Sequence, residues 1–253
     1  MITSENNAQL KNISVLLKKG KERQKKGLFV AEGRKMFLEA CELGIVEKAY
    51  LSESYAKELG KVTCDYETVS DEVFNRIAET VTPQGVIALI RIPEGDAAGI
   101  VKTARKLLLL EDLQDPGNLG TMIRTAEAAG MDAVILSKNS VDVYNPKVVR
   151  STMGAVFRVP VFYTEDLIGL IKELNDNGFN TIATHLAAKK NYYDADLSGK
   201  TAILIGNEGN GLSDEATSAA GEKVRIPMAG KVESLNASVA AALMMYELIR
   251  CKK

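Results

Sequence analysis

Five polar side chains in this chain have the types and spacing to do chemistry. Arg124 follows Asn118 by six residues, Glu208 sits inside Gly206-Asn207-Glu208-Gly209-Asn210-Gly211, and Ser234 and Asn236 precede an Ala-rich stretch. A guanidinium can clamp a phosphate bidentately and stabilise a developing oxyanion. Three glycines within six residues let backbone approach a ligand closely. The glycine loop matches neither G-x-G-x-x-G nor the Walker A pattern, so a dinucleotide oxidoreductase lacks its required spacing. Each feature also has a plainer account. Arg124 could pair with Glu127 or Glu111 at the surface, the glycine loop could be a turn before a helix capped by Ser213, and Ser234 and Asn236 could be helix-start residues. The single histidine, His185, is the usual choice of general base but is assigned here to packing or solvent.

These residues need elements to hold them. Apolar runs at Leu107–Leu110, Ala133–Leu136, Thr181–Thr184 and Ala202–Ile205 suit strands buried on both faces of a parallel sheet. The stretch from Leu107 to Gly130 reads strand, loop, helix, with Asn118 as the expected N-cap, Ala126 and Ala129 for close packing and Gly130 as the stop. The stretch from Val224 to Glu247 reads as an extended run, a loop and a helix. The face Ala237, Ala240, Ala241, Met244 and Leu248 of that helix is either core or a subunit contact. Ahead of these elements, helical patterning at Asn7–Lys19 and Arg34–Leu43 alternates with β-rich runs at Leu28–Val30, Ala49–Leu51 and Val86–Ile90. The composition shift at Pro93-Glu94-Gly95-Asp96 marks a boundary. The expected organisation is an N-terminal α/β domain over 1–95, a linker over 96–105 and a C-terminal α/β domain over 106–253.

Composition bounds the function. With 253 residues, 46% apolar and 26% charged, the chain is globular, and collagen-like, disordered and disulfide-scaffold classes are excluded. No run approaches the roughly 20 apolar residues of a membrane helix. The first residues lack the basic and apolar regions of a signal peptide, so a cytoplasmic location is expected. Cys41, Cys64 and Cys251 are odd in number and far apart in sequence, which argues against a disulfide framework or a paired-cysteine zinc site; they read as inert thiols, and no metal is expected. Net charge is only −1, yet Lys11–Lys35 carries nine Lys/Arg against Glu22 and Glu32, a local +7. That segment is either a solvated face or a phosphate-binding surface.

Taken in order, three stretches closely resemble the signature motifs of the SpoU, or TrmH-like, RNA 2′-O-methyltransferases. They are Asn118-x-Gly120-x-x-x-Arg124-x-Ala126-x-x-x-Gly130, then Ile205-Gly206-Asn207-Glu208-Gly209-x-Gly211-Leu212, then Ile226-Pro227-Met228 with Ser234-Leu235-Asn236-x-Ser238-x-Ala240. The N-terminal piece, with Asn7-x-x-x-Lys11 and Arg23-x-x-x-Gly27-Leu28-Phe29-Val30-Ala31-Glu32-Gly33, resembles a ribosomal-protein-L30e-like substrate-binding domain. The resemblance implies a catalytic domain with a deep C-terminal trefoil knot, which general topology rules would not predict. It also implies a homodimer through that domain and S-adenosylmethionine as the methyl donor.

By motif position, Gly206, Ile226, Leu235, Met228 and Asn207 would contact the donor. Arg124, Glu208, Asn118, Ser234 and Asn236 would line the reaction centre. Freeing a guanidinium at pH 7 from an ordinary pKa of about 12.5 would cost on the order of 7 kcal/mol. A phosphate clamp and charge stabiliser therefore suits Arg124 better than a base, with the target phosphate, water or Glu208 left as proton acceptor. Lys11, Lys18, Lys19, Arg23, Lys25, Lys26 and Arg34 would contact RNA phosphates. The two-domain layout resembles rRNA modifiers, so 23S rRNA and a guanosine are favoured over a tRNA. A non-catalytic RNA-binding protein of the same fold is the other alternative, and intact Arg124, Glu208 and Asn236 speak against it.

Overall fold

The computed structural model describes residues 1–95 and 97–251. Asp96, at the start of the expected linker, and Lys252 and Lys253, at the end of the expected C-terminal domain, lie outside the described residues. The structure forms two compact units. One comprises Met1–Glu94 with Tyr144–Gly154, the other Gly95–Val143 with the chain from Ala155 onward.

In the first unit the chain runs through α1 (Ala8–Lys18), α2 (Gly20–Lys26), β1 (Leu28–Glu32), α3 (Arg34–Glu42), β2 (Val46–Ser52), α4 (Glu53–Glu58), β3 (Tyr66–Val69), α5 (Asp71–Ile77) and β4 (Val86–Arg91). The strands form a four-stranded sheet in the order β1-β4-β2-β3. β4 pairs antiparallel with both β1 and β2, and β2 runs parallel to β3. Asn7 caps α1 by accepting from the Gln9 amide at 2.8 Å. The i, i+3, i+6 residues Leu10, Ile13 and Leu16 bury one face of α1 against Val30, Tyr50, Phe74 and Leu89.

The second unit begins with α6 (Ala97–Thr103), β5 (Lys106–Leu110), α7 (Pro116–Ala128) and β6 (Ala133–Ser137). Next comes α8 (Pro146–Thr152), which packs with the first unit, where Tyr144 lies 4.6 Å from the Phe29 ring and Val148 and Val149 are buried. The chain re-enters the second unit through β7 (Val161–Thr164), α9 (Leu167–Asp176), β8 (Phe179–Thr184), β9 (Lys190–Asn191), β10 (Lys200–Ile205), α10 (Asp214–Ala219), β11 (Glu222–Arg225) and α11 (Ala237–Arg250). These strands form a seven-stranded sheet in the order β7-β6-β5-β10-β8-β11-β9, with every pair parallel. Leu107–Leu110, Ala133–Leu136 and Ala202–Ile205 are fully buried, as strands covered on both faces require.

The strand order gives the site its place. β5, β6 and β7 proceed outward on one side, after which β8 lies on the other side and β10 fills the gap beside β5. Ligands of open parallel sheets sit beyond the carboxyl ends of strands at such a reversal. Among the described residues no helix is long and apolar enough to cross a membrane.

Candidate active site

The loops leaving β5 and β10 meet at that reversal. The first begins at Asp112, whose φ of 49° is left-handed and therefore strained for a residue with a Cβ. Its amide donates to Ser137 Oγ at 2.7 Å, and Ser137 Oγ donates back to Asp112 Oδ1 at 2.6 Å. The helix that follows starts earlier than the sequence suggests. Asp115, not Asn118, is the N-cap of α7: its Oδ1 accepts from the Asn118 amide at 2.7 Å, and Pro116 supplies the preset φ of a first helical residue. This correction matters, because it leaves the Asn118 side chain free to act across the loops.

The β10 loop closes on itself through paired backbone bonds between Asn207 and Gly211, at 3.0 and 2.9 Å. A Cβ on Gly206 would overlap the backbone of Gly211 and Leu212, so only glycine fits that crossing. Asn207 spends its side chain inside the loop. Its Nδ2 donates to the Asp112 carbonyl at 2.7 Å, and its Oδ1 accepts from the Gly209 and Asn210 amides at 2.8 and 3.3 Å.

Three side chains bind the three loops into one unit. Asn236 Nδ2 donates to Asn118 Oδ1 at 2.9 Å, and Asn118 Nδ2 donates to Glu208 Oε1 at 3.0 Å. The Glu208 carboxylate also accepts from the amides of Asp115 at 3.1 Å and Gln114 at 3.2 Å. Asn236 is itself the N-cap of α11, with Oδ1 accepting from the Ser238 amide at 2.8 Å and hydroxyl at 2.6 Å. The direction of this chain is fixed, since a carboxylate at one end can only accept.

Burial pushes the Glu208 carboxyl up, but the bonds from Asn118, the loop's own backbone, Asp115 and Gln114 outweigh it and hold the group below the usual carboxylate range. A carboxylate so engaged is a weak base and a good brace. A depressed folded-state pKa stabilises fully above the unfolded value of about 4.3, and that stability is lost as pH falls through the folded pKa. Glu208→Gln should therefore lower the thermal midpoint near neutrality by about 2–4 °C, the residue's exposure holding the effect to that size. The gap between wild type and variant should close below about pH 4 in a scan of melting temperature against pH.

Beside this chain lies a cavity of about 340 Å³, within the roughly 300–1,000 Å³ of small-molecule sites. Gly206, Asn207 and Glu208 form one wall, Ile226, Met228, Ser234 and Leu235 another, and Ala237 and Ala240 of α11 close it. The α11 face thus divides: Ala237 and Ala240 line the cavity, whereas Ala241, Met244 and Leu248 are core. Thr184, His185, Leu186 and Arg225 also line it and are not singled out as site residues by sequence. His185 lines the cavity, part-buried at its wall. Its Nδ1 accepts from the Ala187 amide at 3.2 Å. Position at the carboxyl end of β8 is the signal that would have found it. Among the described residues no group of three His, Cys, Asp or Glu could hold a metal.

Arg124 does not line the cavity. Six residues beyond Asn118, at 100° per residue, it faces another side of α7, exposed in a stripe with Gly117, Thr121 and Ala128. Glu127 is taken by Arg158 at 3.0 Å and Glu111 by the Ser213 amide and hydroxyl, both at 2.7 Å. The Arg124 side chain makes no hydrogen bond or ion pair with any described residue.

In the first unit, Lys11, Lys18, Lys19 and Lys25 are exposed, and Lys26 Nζ donates to Asn12 Oδ1. Arg34 stacks 4.3 Å from the Tyr55 ring centre, pairs with Glu58 at 3.0 Å and donates from Nε to the Gln84 carbonyl. Arg23 corrects the sequence reading. It is 3% exposed and its guanidinium donates to the Leu16 and Leu17 carbonyls, satisfying the end of α1 instead of facing a phosphate.

Residues 105–246, more than half of the chain, match the SpoU rRNA Methylase family. The chain belongs to that family. It is accordingly an RNA methyltransferase of the S-adenosylmethionine-dependent SpoU type, and residues 7–88 match the MRM3-like substrate binding domain. Over 98% of both chains it is 37% identical to the 23S rRNA (guanosine(2553)-2′-O)-methyltransferase RlmP of Bacillus subtilis. The AdoMet-bound rRNA methyltransferase of Sinorhizobium meliloti superposes with a TM-score of 0.88 at 32% identity, covering 98% of this chain and 97% of that one. The SpoU methyltransferase AviRb of Streptomyces viridochromogenes, in complex with AdoMet, gives 0.84 at 28% identity, covering 96% and 98%.

Proposed function

We propose that this SpoU methylase transfers the methyl group of S-adenosylmethionine to a ribose 2′-OH of 23S rRNA, at a guanosine. The observation that carries the target is the end-to-end similarity to the Bacillus subtilis guanosine 2′-O-methyltransferase, which includes the N-terminal unit as well as the catalytic one. The cavity suits the donor: bare backbone at Gly206 admits close approach, and Ile226, Met228 and Leu235 supply apolar walls. The donor contributes an electrophilic methyl on a sulfonium. Asn207 contacts it through backbone only, because its amide is committed to the loop.

The protein's part is orientation. Glu208, Asn118 and Asn236 hold the three loops in register, with Ser234 at the cavity edge, and fixed geometry of this kind is worth about 7–11 kcal/mol of barrier. Arg124 clamps the target phosphate and stabilises charge growing on the ribose oxygen. The proton leaves to that phosphate or to water, since Glu208 is a weakened base. Lys11, Lys18, Lys19, Lys25 and Lys26 dock the RNA through phosphates, so the unit of Met1–Glu94 with Tyr144–Gly154, wider than the expected 1–95, binds substrate and the other unit catalyses. The catalytic domain carries the family's trefoil knot and dimerises through it, burying Val239 and Tyr246, which stand 47% and 53% exposed on α11. The enzyme works in the cytoplasm.

Purified protein incubated with methyl-labelled S-adenosylmethionine and separate unmodified 23S rRNA and tRNA pools tests this directly. Label should be recovered as 2′-O-methylguanosine from the 23S pool. Label in tRNA would overturn the target, label on a base would overturn the reaction, and failure to bind donor would leave a non-catalytic RNA binder.

A further inference from the structure

Cys41 and Cys64 are 23 residues apart in sequence, yet their sulfurs lie 3.1 Å apart in the first unit. Cysteines read from sequence as separate, inert thiols are thus a facing pair. Both are anchored. Cys41 belongs to α3, next to the fully buried Ala40, and Cys64 directly precedes Asp65, whose carbonyl accepts from the Ala49 amide of β2 at 2.9 Å. Between them the chain passes through the irregular Leu59–Thr63 loop. A surface hollow of about 340 Å³, lined by Cys41 and Cys64 with Glu47, Asp65 and Arg91, lies at the pair.

We propose that Cys41 and Cys64 form a reversible dithiol–disulfide site in the substrate-binding domain, closed by a peroxide and reopened by a small dithiol. The inference is independent of which RNA the enzyme methylates. The two sulfurs have different tasks. Cys41 is buried, and that burial, with Cys64 beside it, pushes its thiol up to about 12, so it is not the sulfur that meets a peroxide first. Cys64 is half-exposed at the hollow and is the one a peroxide reaches. Its thiolate attacks a peroxide oxygen, the O–O bond breaks and one water leaves, giving a sulfenic acid. The Cys41 sulfur then attacks the Cys64 sulfur, and hydroxide departs with the Cys41 proton as a second water. Two thiols lose two electrons and two hydrogens, and hydrogen peroxide becomes two waters. In the reducing compartment expected for this enzyme such bonds are transient sensors and not scaffolds. The closed bond ties the Leu59–Thr63 loop to α3. Cys251 is the internal control, since its hydrogen-bond partners among the described residues are Glu247 and Arg250.

Full-length protein is treated with limiting hydrogen peroxide, alkylated, and examined by intact mass and peptide mapping. The expected result is loss of two hydrogens, a Cys41–Cys64 linked peptide pair, and Cys251 still alkylated, all reversed by dithiothreitol. Cys41→Ser should instead stop with one oxygen on Cys64. Trypsin cleavage at the exposed Lys61 should slow several-fold on oxidation and recover on reduction. Wild-type protein in which both residues stay alkylatable, accumulate oxygen adducts or link to Cys251 would overturn the site, and unchanged cleavage at Lys61 would overturn the tether. The wild-type map decides the matter even if a serine variant fails to fold.

Discussion

Arg124→Ala is expected to lose about a thousandfold in the methyl-transfer rate at saturating donor while keeping donor affinity within twofold. Its position predicts that split. Arg124 is outside the cavity, so the variant leaves every donor-side wall in place. It is also exposed and its side chain is unpaired among the described residues, with the two carboxylates that the sequence offered it, Glu127 and Glu111, already engaged. A surface substitution without partners changes stability by no more than about 0.5 kcal/mol, so the melting temperature should hardly move. What disappears is the fork that grips a phosphate and faces the oxygen as charge develops. Arg124→Lys should recover only a small part of the rate, because a point charge replaces bidentate geometry. Single-turnover methylation with donor titration by calorimetry separates the effects. Weakened donor binding with turnover intact would move Arg124 to the donor side and sink the phosphate assignment.

How far the sequence reaches is set by which forces act locally. β5, β6, β8 and β10 are legible because strands buried on both faces must be apolar throughout, and Leu107–Leu110 or Ala202–Ile205 could be little else in a chain this size. β3, β7 and β9 are not: they lie towards sheet edges, β7 is half-buried along its length, and Lys190–Asn191 reads as surface. The start of α7 went to the wrong residue because both Asp115 and Asn118 can cap; Pro116 between them settles the choice, being far better placed at a first helical position than outside the helix. Gly206, Glu208, Ile226, Met228, Ser234 and Leu235 were legible as motif members and do meet at one cavity. The bonds that make them a unit were not, since Gln114 to Glu208 and Asn118 to Asn236 span 94 and 118 residues. A basic run likewise cannot reveal that Arg23 turns inward while Lys25 turns out. Neither the Cys41–Cys64 contact nor the departure of α8 to the other unit leaves any local trace, because both are settled by tertiary packing alone.

Gly206→Ala should weaken donor binding by about ten- to a hundredfold, the cost of forcing one methyl into a closed backbone crossing being about 1–3 kcal/mol. The added Cβ meets the main chain of Gly211 and Leu212, which cannot swing aside as a flexible side chain would. Relief requires the Asn207–Gly211 bonds to part, and the same movement draws Asn207 from the Asp112 carbonyl and Glu208 from Gln114 and Asp115. The donor wall and the brace between loops therefore fail together. Gly209→Ala, three residues on, is the matched control: its Cβ would find only Asn207 Oδ1 at 3.4 Å, an ordinary contact, and donor affinity should stay within twofold. RNA binding through the first unit should be unchanged in both variants, which distinguishes a local loop opening from general unfolding. Calorimetric donor titration of the two alanine variants, with melting curves alongside, reads the comparison. Equal affinities would mean that the β10 loop is not the donor's backbone wall, and the cavity would have to be reassigned to another part of the substrate.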